Sequence, residues 1–163
     1  MKRILLLSDT HDYFGPEMVR HAADVDEIWH AGDIGSWAVV QSLEATKPLR
    51  AVYGNIDDRD IRTALPLHNR FVLEGADIWI THIGGYPGHY PAKIRDALSA
   101  NPPDIFVTGH SHILKVQFDK RLSLLHLNPG AIGKQGFHQV RTMLKFEIER
   151  GTAKNMHVIE LQR

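Results

Sequence analysis

Ile4-Leu5-Leu6-Leu7-Ser8-Asp9-Thr10-His11-Asp12 is a short apolar run that ends abruptly in a carboxylate, a hydroxyl and an imidazole. The run is too short to span a membrane and has the length of a strand buried on both faces, as occurs in parallel sheets covered by other layers. Ligands of such sheets collect just beyond the carboxyl ends of the strands, so Asp9 and His11 stand where chemistry is expected. In extended chain, residues two apart point to the same side. Read that way, the carboxylate and the imidazole aim at one point, as half of a metal site would.

The same device recurs along the chain. Glu27-Ile28-Trp29-His30-Ala31-Gly32-Asp33 ends in Gly-Asp, and Leu49-Arg50-Ala51-Val52-Tyr53-Gly54-Asn55 ends in Gly-Asn. Ile78-Trp79-Ile80-Thr81-His82 ends in an imidazole, and Ile105-Phe106-Val107-Thr108 runs into Gly109-His110-Ser111-His112. If these strands are parallel neighbours, their ends converge on one rim. The candidate metal ligands are then Asp9, His11, Asp33, Asn55, His82, His110 and His112: two carboxylates, one amide oxygen and four imidazoles. Tetrahedral zinc takes four ligands, so the set exceeds one such site. It suits two divalent ions about 3.5–4 Å apart that share a carboxylate. Mixed nitrogen and oxygen ligands suit manganese, iron, zinc, nickel or cobalt alike.

Between the runs, the spacing predicts a helix over about Pro16 to Asp24 and a second one N-capped by Ser36, with Trp37, Val40 and Leu43 as its apolar stripe. That helix should stop before Lys47-Pro48. Asp57 to Arg62 is a charge run leading into a short helical turn, and Phe71–Glu74 with Ile78–Thr81 forms a hairpin about Gly75-Ala76-Asp77. Another helix follows Pro91 and ends before Asn101-Pro102-Pro103. The tail is strand-rich: Val116–Phe118, Leu122–Leu127, Val140–Glu149 and Lys154–Leu161, the last with Met156, Val158 and Leu161 alternating roughly with polar residues. Alternating strands and helices followed by strands predict an α/β sandwich, with two mixed β-sheets packed face to face and helices on the outer faces.

The 163 residues suffice for one domain with a true core, expected to span 1–163. Apolar residues make up 43% and charged residues 23%, as in ordinary globular chains. The 19 basic and 19 acidic side chains balance, which leaves no nucleic-acid or anionic-membrane footprint in the net charge. The absence of cysteine excludes a disulfide scaffold and a thiolate nucleophile, and it suits a cytoplasmic location. Met1-Lys2-Arg3 before Ile4 imitates a signal peptide, but Ser8-Asp9 breaks the apolar part at once. The 11 histidines are the one compositional oddity, and they cluster at the strand ends.

Asp9-Thr10-His11, Gly32-Asp33, Gly54-Asn55, His82 and Gly109-His110-Ser111-His112 resemble, in order, the five motifs of the calcineurin-like metallophosphoesterases. The short length and Asn55-Ile56-Asp57 are similar to the small bacterial and archaeal phosphodiesterase subfamily, related to the retromer scaffold subunit of eukaryotes. The resemblance implies that Asp9, His11 and His112 hold one metal, that Asn55, His82 and His110 hold a second, and that Asp33 bridges them. A metal-bridging hydroxide would then attack phosphorus in a small phosphodiester. Asp33, Asn55 and His82 are the residues expected to carry catalysis. Asn55 and Arg59 are expected to meet the substrate. The family commonly forms dimers, so a homodimer is the assembly it suggests.

Many family members place a histidine after the Gly-Asn pair to act on the leaving group, and here that position is Ile56. General-acid help is worth 10²–10⁴-fold, so about 3–5 kcal/mol must come from elsewhere. Diesters with acidic leaving groups should therefore turn over better than alkyl monoesters, and His89 is the candidate substitute acid. Two other readings stand beside the enzyme: a catalytically weak or inactive protein-interaction scaffold of the same fold, and a mononuclear hydrolase. Of the remaining histidines, His30 reads as packed, His126 as a strand residue, and His21, His68, His138 and His157 as surface residues. Trp37 reads as core, and Asn128-Pro129-Gly130-Ala131 as a tight turn.

Overall fold

The strand Lys2–Leu7 (β1) lies in the middle of a sheet, and Ile4 to Leu7 are wholly buried. The structure is a computed structural model that describes residues 1–163. In it Ile4 and Leu6 face a core shared with a second sheet, whereas Leu5 and Leu7 face a core shared with helices. The pleat sends alternate side chains to opposite faces, and both faces of this strand are dry. This is why the run shows no polar alternation.

Pro16–Ala22 (α1) follows, with Pro16 in its first turn. Glu27–His30 (β2), Trp37–Thr46 (α2), Leu49–Ala51 (β3) and Arg59–Ala64 (α3) complete the first half. His68–Leu73 (β4) and Ala76–Thr81 (β5) form the expected hairpin, and Ala92–Ala100 (α4) and Ile105–Val107 (β6) come next. The tail holds Leu114–Asp119 (β7), Leu124–Pro129 (β8), Val140–Glu149 (β9) and Thr152–Gln162 (β10). One sheet has the order β10-β9-β1-β2-β3 and the other β4-β5-β6-β8-β7. Their facing sides enclose a core around Trp29, Ile78, Val107 and Phe146. Met18, Val40 and Leu43 of α1 and α2 pack on the outer side of the first sheet, and Ile94 and Leu98 of α4 on that of the second. The two-sheet α/β sandwich expected from the sequence is the observed architecture. No helix is long and apolar enough to cross a membrane.

Local departures have identifiable causes. β2 ends at His30 and β3 at Ala51, short of Asp33 and Asn55, because one further bond to each neighbour closes the ladder before the chain turns away: Ala31 N–H to Leu7 and Val52 N–H to His30. Ser36 occupies the N-cap of α2, but its hydroxyl makes no capping bond. Asp58 does cap α3, accepting from the Ile61 N–H at 3.1 Å. Asn128 and Pro129 extend β8 where a tight turn was expected. In β10 a bulge between Lys154 and His157, with Asn155 at φ 52°, shifts the alternation. Ile159 is therefore the buried residue and Val158 stays 40% exposed.

A buried ion pair ties α1 to β9. Arg141 donates to Glu17 at 2.8 Å and to the carbonyls of Ile132 and Gln162 at 3.1 Å each, and the Tyr13 hydroxyl donates to Glu17 at 2.6 Å. Burial pushes the Glu17 carboxyl up, but the Tyr13 hydroxyl and the Arg141 guanidinium outweigh it and bring it from 4.5 to about 2. A carboxyl lowered by folding stabilises the fold above its unfolded value, and that stability is lost as pH falls through the folded value. The midpoint of urea unfolding should therefore drop between pH 4.5 and about 2, and Glu17→Gln should flatten that part of the profile. Arg141→Ala, which strands a buried carboxylate, should cost about 3–5 kcal/mol at pH 7, and the Glu17→Gln/Arg141→Met double variant should cost less.

Candidate metal centre

The loops after β1 and β2 are laced together by backbone bonds. Asp9 N–H donates to Gly32 O at 2.9 Å, His11 N–H to Asp33 O at 3.0 Å, and Asp12 N–H to Ile34 O at 2.8 Å. Asp9, His11, Asp33, His110 and His112 all have left-handed backbone, with φ between 45° and 69°. The side chains of Asp9 and His11 are therefore not aimed by the pleat of an extended strand, as the sequence suggested. β1 ends at Leu7, and a chain of left-handed residues turns these groups inward. Such conformations cost about 1–3 kcal/mol each outside glycine and persist where the surroundings over-determine them.

Close backbone approach explains the glycines of the motifs. A Cβ on Gly54 would lie 2.1 Å from the Asp33 Oδ1 atom, and one on Gly32, at φ +97°, would lie 2.7 Å from the His82 ring. The ends of β1, β2, β5 and β6 and the loop after β3 thus meet on one rim, although the strands belong to two sheets.

The rim gathers all seven side chains named from the sequence. Ligand atoms of Asp9, His11 and His112 lie within 4.8 Å of one another, and so do those of Asp33, His82 and His110. The Asn55 Oδ1 atom joins the second group at 3.0 Å from both His82 Nε2 and His110 Nδ1. Asp33 Oδ2 stands 3.5 Å from His11 Nε2 and 3.2 Å from His82 Nε2, between the two groups. In the structure Oδ1 accepts from the Ile56 N–H at 3.0 Å, so Oδ2 is the atom that faces both groups.

Hydrogen-bond roles around the rim follow from groups that can only accept. His82 Nδ1 lies 2.7 Å from the Ala31 carbonyl, so this nitrogen carries a hydrogen and Nε2 is the atom turned toward Asp33 and Asn55. His138 Nε2 likewise donates to Gly133 O at 2.9 Å. Its Nδ1 then accepts from His112 Nδ1 at 3.3 Å, which leaves His112 Nε2 bare and 3.1 Å from Asp9 Oδ1. Asp9 Oδ1 and His11 Nε2 are buried and have no hydrogen-bond partner. Lone pairs aimed at lone pairs in a buried site, with orphaned oxygen and nitrogen atoms, are the donor set that a divalent cation fits.

The electrostatics agree. Burial pushes the Asp9 carboxyl up, yet the imidazoles of His11 and His112, the charge of His82 and the Ser8 hydroxyl hold it far below the ordinary range. Asp33 is also lowered, with burial opposed by His82 and the Ile56 N–H. The Asp9 carboxylate raises His11. Burial pulls His82 down, but Asp33 and Asp9 raise it on balance. The cluster is short of positive charge.

Several supports were not legible in the sequence. Asp57 accepts from Gly54 N–H at 2.7 Å and Gly35 N–H at 2.8 Å, pinning the loops after β3 and β2. Arg62 donates to Asn55 O at 2.9 Å and Asp57 O at 2.6 Å, so the charge run holds the Asn55 loop rather than being merely solvated. His30 is wholly buried as expected: its Nδ1 accepts from Gly32 N–H at 3.0 Å and its Nε2 donates to Thr10 Oγ1 at 2.9 Å. Burial brings it to about 3, which keeps it neutral. His138 is not a free surface residue, since it meets His112. Arg59 lines a hollow with Trp37 and Thr63 and does not share one with Asn55. His89 is exposed in the glycine-rich loop, with its ring 4.7 Å from that of Tyr86, and it bonds to none of the seven.

A family model described as the calcineurin-like phosphoesterase superfamily domain matches residues 1–151. A probable metallophosphoesterase of Methanothermobacter thermautotrophicus is 32% identical over 132 residues, covering 77% of this chain and 74% of that protein. Wild-type Vps29 of Entamoeba histolytica complexed with Zn2+ superposes with a TM-score of 0.74 at 14% identity, covering 98% of both chains. An archaeal phosphodiesterase gives 0.74 at 22% identity, covering 98% of this chain and 99% of the other.

The His138–His112 contact makes a specific prediction. A partner that orients a ligating histidine is typically worth 10–100-fold in metal affinity. His138→Ala should weaken Mn2+ binding by about that factor in calorimetric titration. His138→Asn, whose side-chain oxygen can accept in place of Nδ1, should restore much of it. Equal affinities in all three proteins would remove His138 from the site.

Proposed function

Because the chain belongs to the calcineurin-like phosphoesterase superfamily, we propose that it is a binuclear, metal-dependent phosphodiesterase acting as one domain over residues 1–163. Asp9, His11 and His112 would hold one divalent ion, and Asn55, His82 and His110 the other. The observation that carries this reading is the place of Asp33 Oδ2, within 3.5 Å of a nitrogen from each group. When bound, the two ions supply Lewis acidity at the phosphoryl oxygens and a water of lowered pKa.

The chain's own residues set the terms of that chemistry. Ser8 fixes Asp9 through a 2.5 Å bond to Oδ2, and the Ile56 N–H fixes Asp33 through Oδ1. The carbonyl of Ala31 and the ring of His138 set the faces that His82 and His112 present. Asn55 is neutral, so two carboxylates would face two divalent ions and the site would stay attractive to a phosphate. Ile56 is 46% exposed beside Asn55 and offers no titratable proton to a leaving group. This supports the preference for diesters with acidic leaving groups. His89 is the proposed alternative acid and Arg59 the proposed phosphate contact.

A scaffold of the same fold is the second reading. It is favoured by Phe137, which is 99% exposed on a hollow shared with His110 and His112. The complete ligand set favours the enzyme.

With saturating Mn2+, bis(p-nitrophenyl) phosphate should turn over faster than glycerol phosphate, and chelator should abolish both rates. Asp33→Asn should lower kcat by at least about 10²-fold, because the carboxylate that would hold both ions, and through them the stabilisation of charge at phosphorus, is lost. Chelator-insensitive turnover, or faster cleavage of the monoester, would overturn the proposal. No turnover with any divalent ion would favour the scaffold.

A further inference from the structure

Beside the metal centre lies a cavity of about 330 Å³ that no role described so far uses. It opens between the glycine-rich loop after His82 and the start of β7. Its walls include Ile83, Tyr86, Ile113 and Lys115, and buried His126 also lines it. The side chain of His110, from the second ligand group, belongs to the same wall. We propose that this cavity is the subsite for one ester arm of the substrate, and that the arm is a flat ring with a polar edge. The proposal rests on the phosphodiesterase reading and deepens it.

Position comes first. His110 belongs both to the second ligand group and to the cavity lining, so a phosphoryl group held at that group has the cavity beside it and an ester substituent has a way in. Size comes second. The volume is at the small end of ligand sites, enough for one ring system and not for a polymer or a folded peptide.

Chemistry comes third. Ile83 is 45%, Tyr86 40% and Ile113 63% exposed, a concentration of open apolar surface that a soluble chain ordinarily buries or uses. No acidic side chain lines the cavity. Its single lysine, Lys115, makes no ion pair and sits 4.7 Å from the centroid of the Tyr86 ring. This combination accepts an aromatic face beside a phosphate and gives little to a flexible polyol.

The polar edge is asked for by His126. The residue is 0% exposed, its Nε2 pairs with Thr108 Oγ1 at 2.9 Å, and its Nδ1 has no partner. Burial, reinforced by the Lys115 charge, brings it to about 4, so it stands in the cavity wall as a neutral imidazole. An unpaired buried polar atom costs free energy that a ligand hydrogen bond would recover. A purely hydrocarbon arm leaves it unpaired. A nucleobase edge, or the substituted edge of a phenol-like ring, can pair with it.

The test is binding of three monoesters that share the phosphate and differ in the arm: methyl phosphate, phenyl phosphate and thymidine 5′-monophosphate. Dissociation constants are measured by calorimetry with the Mn2+-loaded protein. Burial of a ring should make phenyl phosphate bind about tenfold or more tighter than methyl phosphate, with thymidine monophosphate tighter still. Tyr86→Ala and Ile113→Asp should each bring the phenyl-to-methyl ratio toward one. Equal affinity of all three ligands in the unaltered protein, or a ratio unmoved by both substitutions, overturns the subsite. Phenyl phosphate binding as tightly as the thymidine ester overturns the polar edge. Ring preference without hydrolysis of any diester would sink the phosphodiesterase reading and keep the subsite. Hydrolysis without ring preference would do the reverse.

Discussion

The backbone lacing between the ends of β1 and β2 is the constraint on which the rim depends. Three N–H groups, of Asp9, His11 and Asp12, donate across to Gly32, Asp33 and Ile34. On the other side Ile132 and Gly133 donate to the carbonyls of Ser8 and Asp9. The segment is thus held from two directions in a conformation it would not choose alone. That double grip lets Asp9, His11 and Asp12 keep left-handed backbone, and left-handed backbone is what points the Asp9 and His11 side chains into the shared space. The strain is local, and it is offset by ladder bonds and dry packing in the strands behind it.

Behind the rim, the tautomers follow the same logic. Ala31 and Gly133 present carbonyls, which can only accept, and each thereby sets which nitrogen of a histidine carries the hydrogen. His82 takes its instruction directly, while His112 receives it through His138. The bare nitrogens that result face carboxylates already held below their ordinary range. Leaving those carboxylates without a cationic partner is costly in a buried setting. The same arrangement that makes the rim a sink for cations makes it a poor place for an apolar or anionic replacement.

Much of this was legible in the sequence, and for physical reasons. Ile4 to Leu7 read as a doubly buried strand because burial on both faces erases polar alternation, and Pro16, Asn101-Pro102-Pro103 and Lys47-Pro48 marked boundaries through proline's fixed geometry. The seven polar side chains were legible because each closes an apolar run and glycine precedes several of them. What escaped had no periodic signal. The bulge at Asn155 inverts the β10 pattern with one left-handed residue. His138 lies in a segment without apolar spacing, and only its distance to His112 shows its use. Arg62 and Asp57 sat in a charge run whose ordinary fate is solvent. The aim of Asp9 and His11 was inferred from an extended pleat, and the true backbone reaches the same point by a different route.

The place of β1 in its sheet has a consequence for how the molecule comes into being. Its neighbours are β2, next in the chain, and β9, where Lys2 pairs with Ile148 and Leu6 with Leu144. The strand that launches the rim cannot be fenced on both sides until the chain has been made as far as Ile148. Closing so large a loop is entropically uphill and slow, since long-range pairing must wait for distant partners. Acquisition of the cation site is therefore a late event in the life of each new chain, reached by global assembly and not by any early fragment.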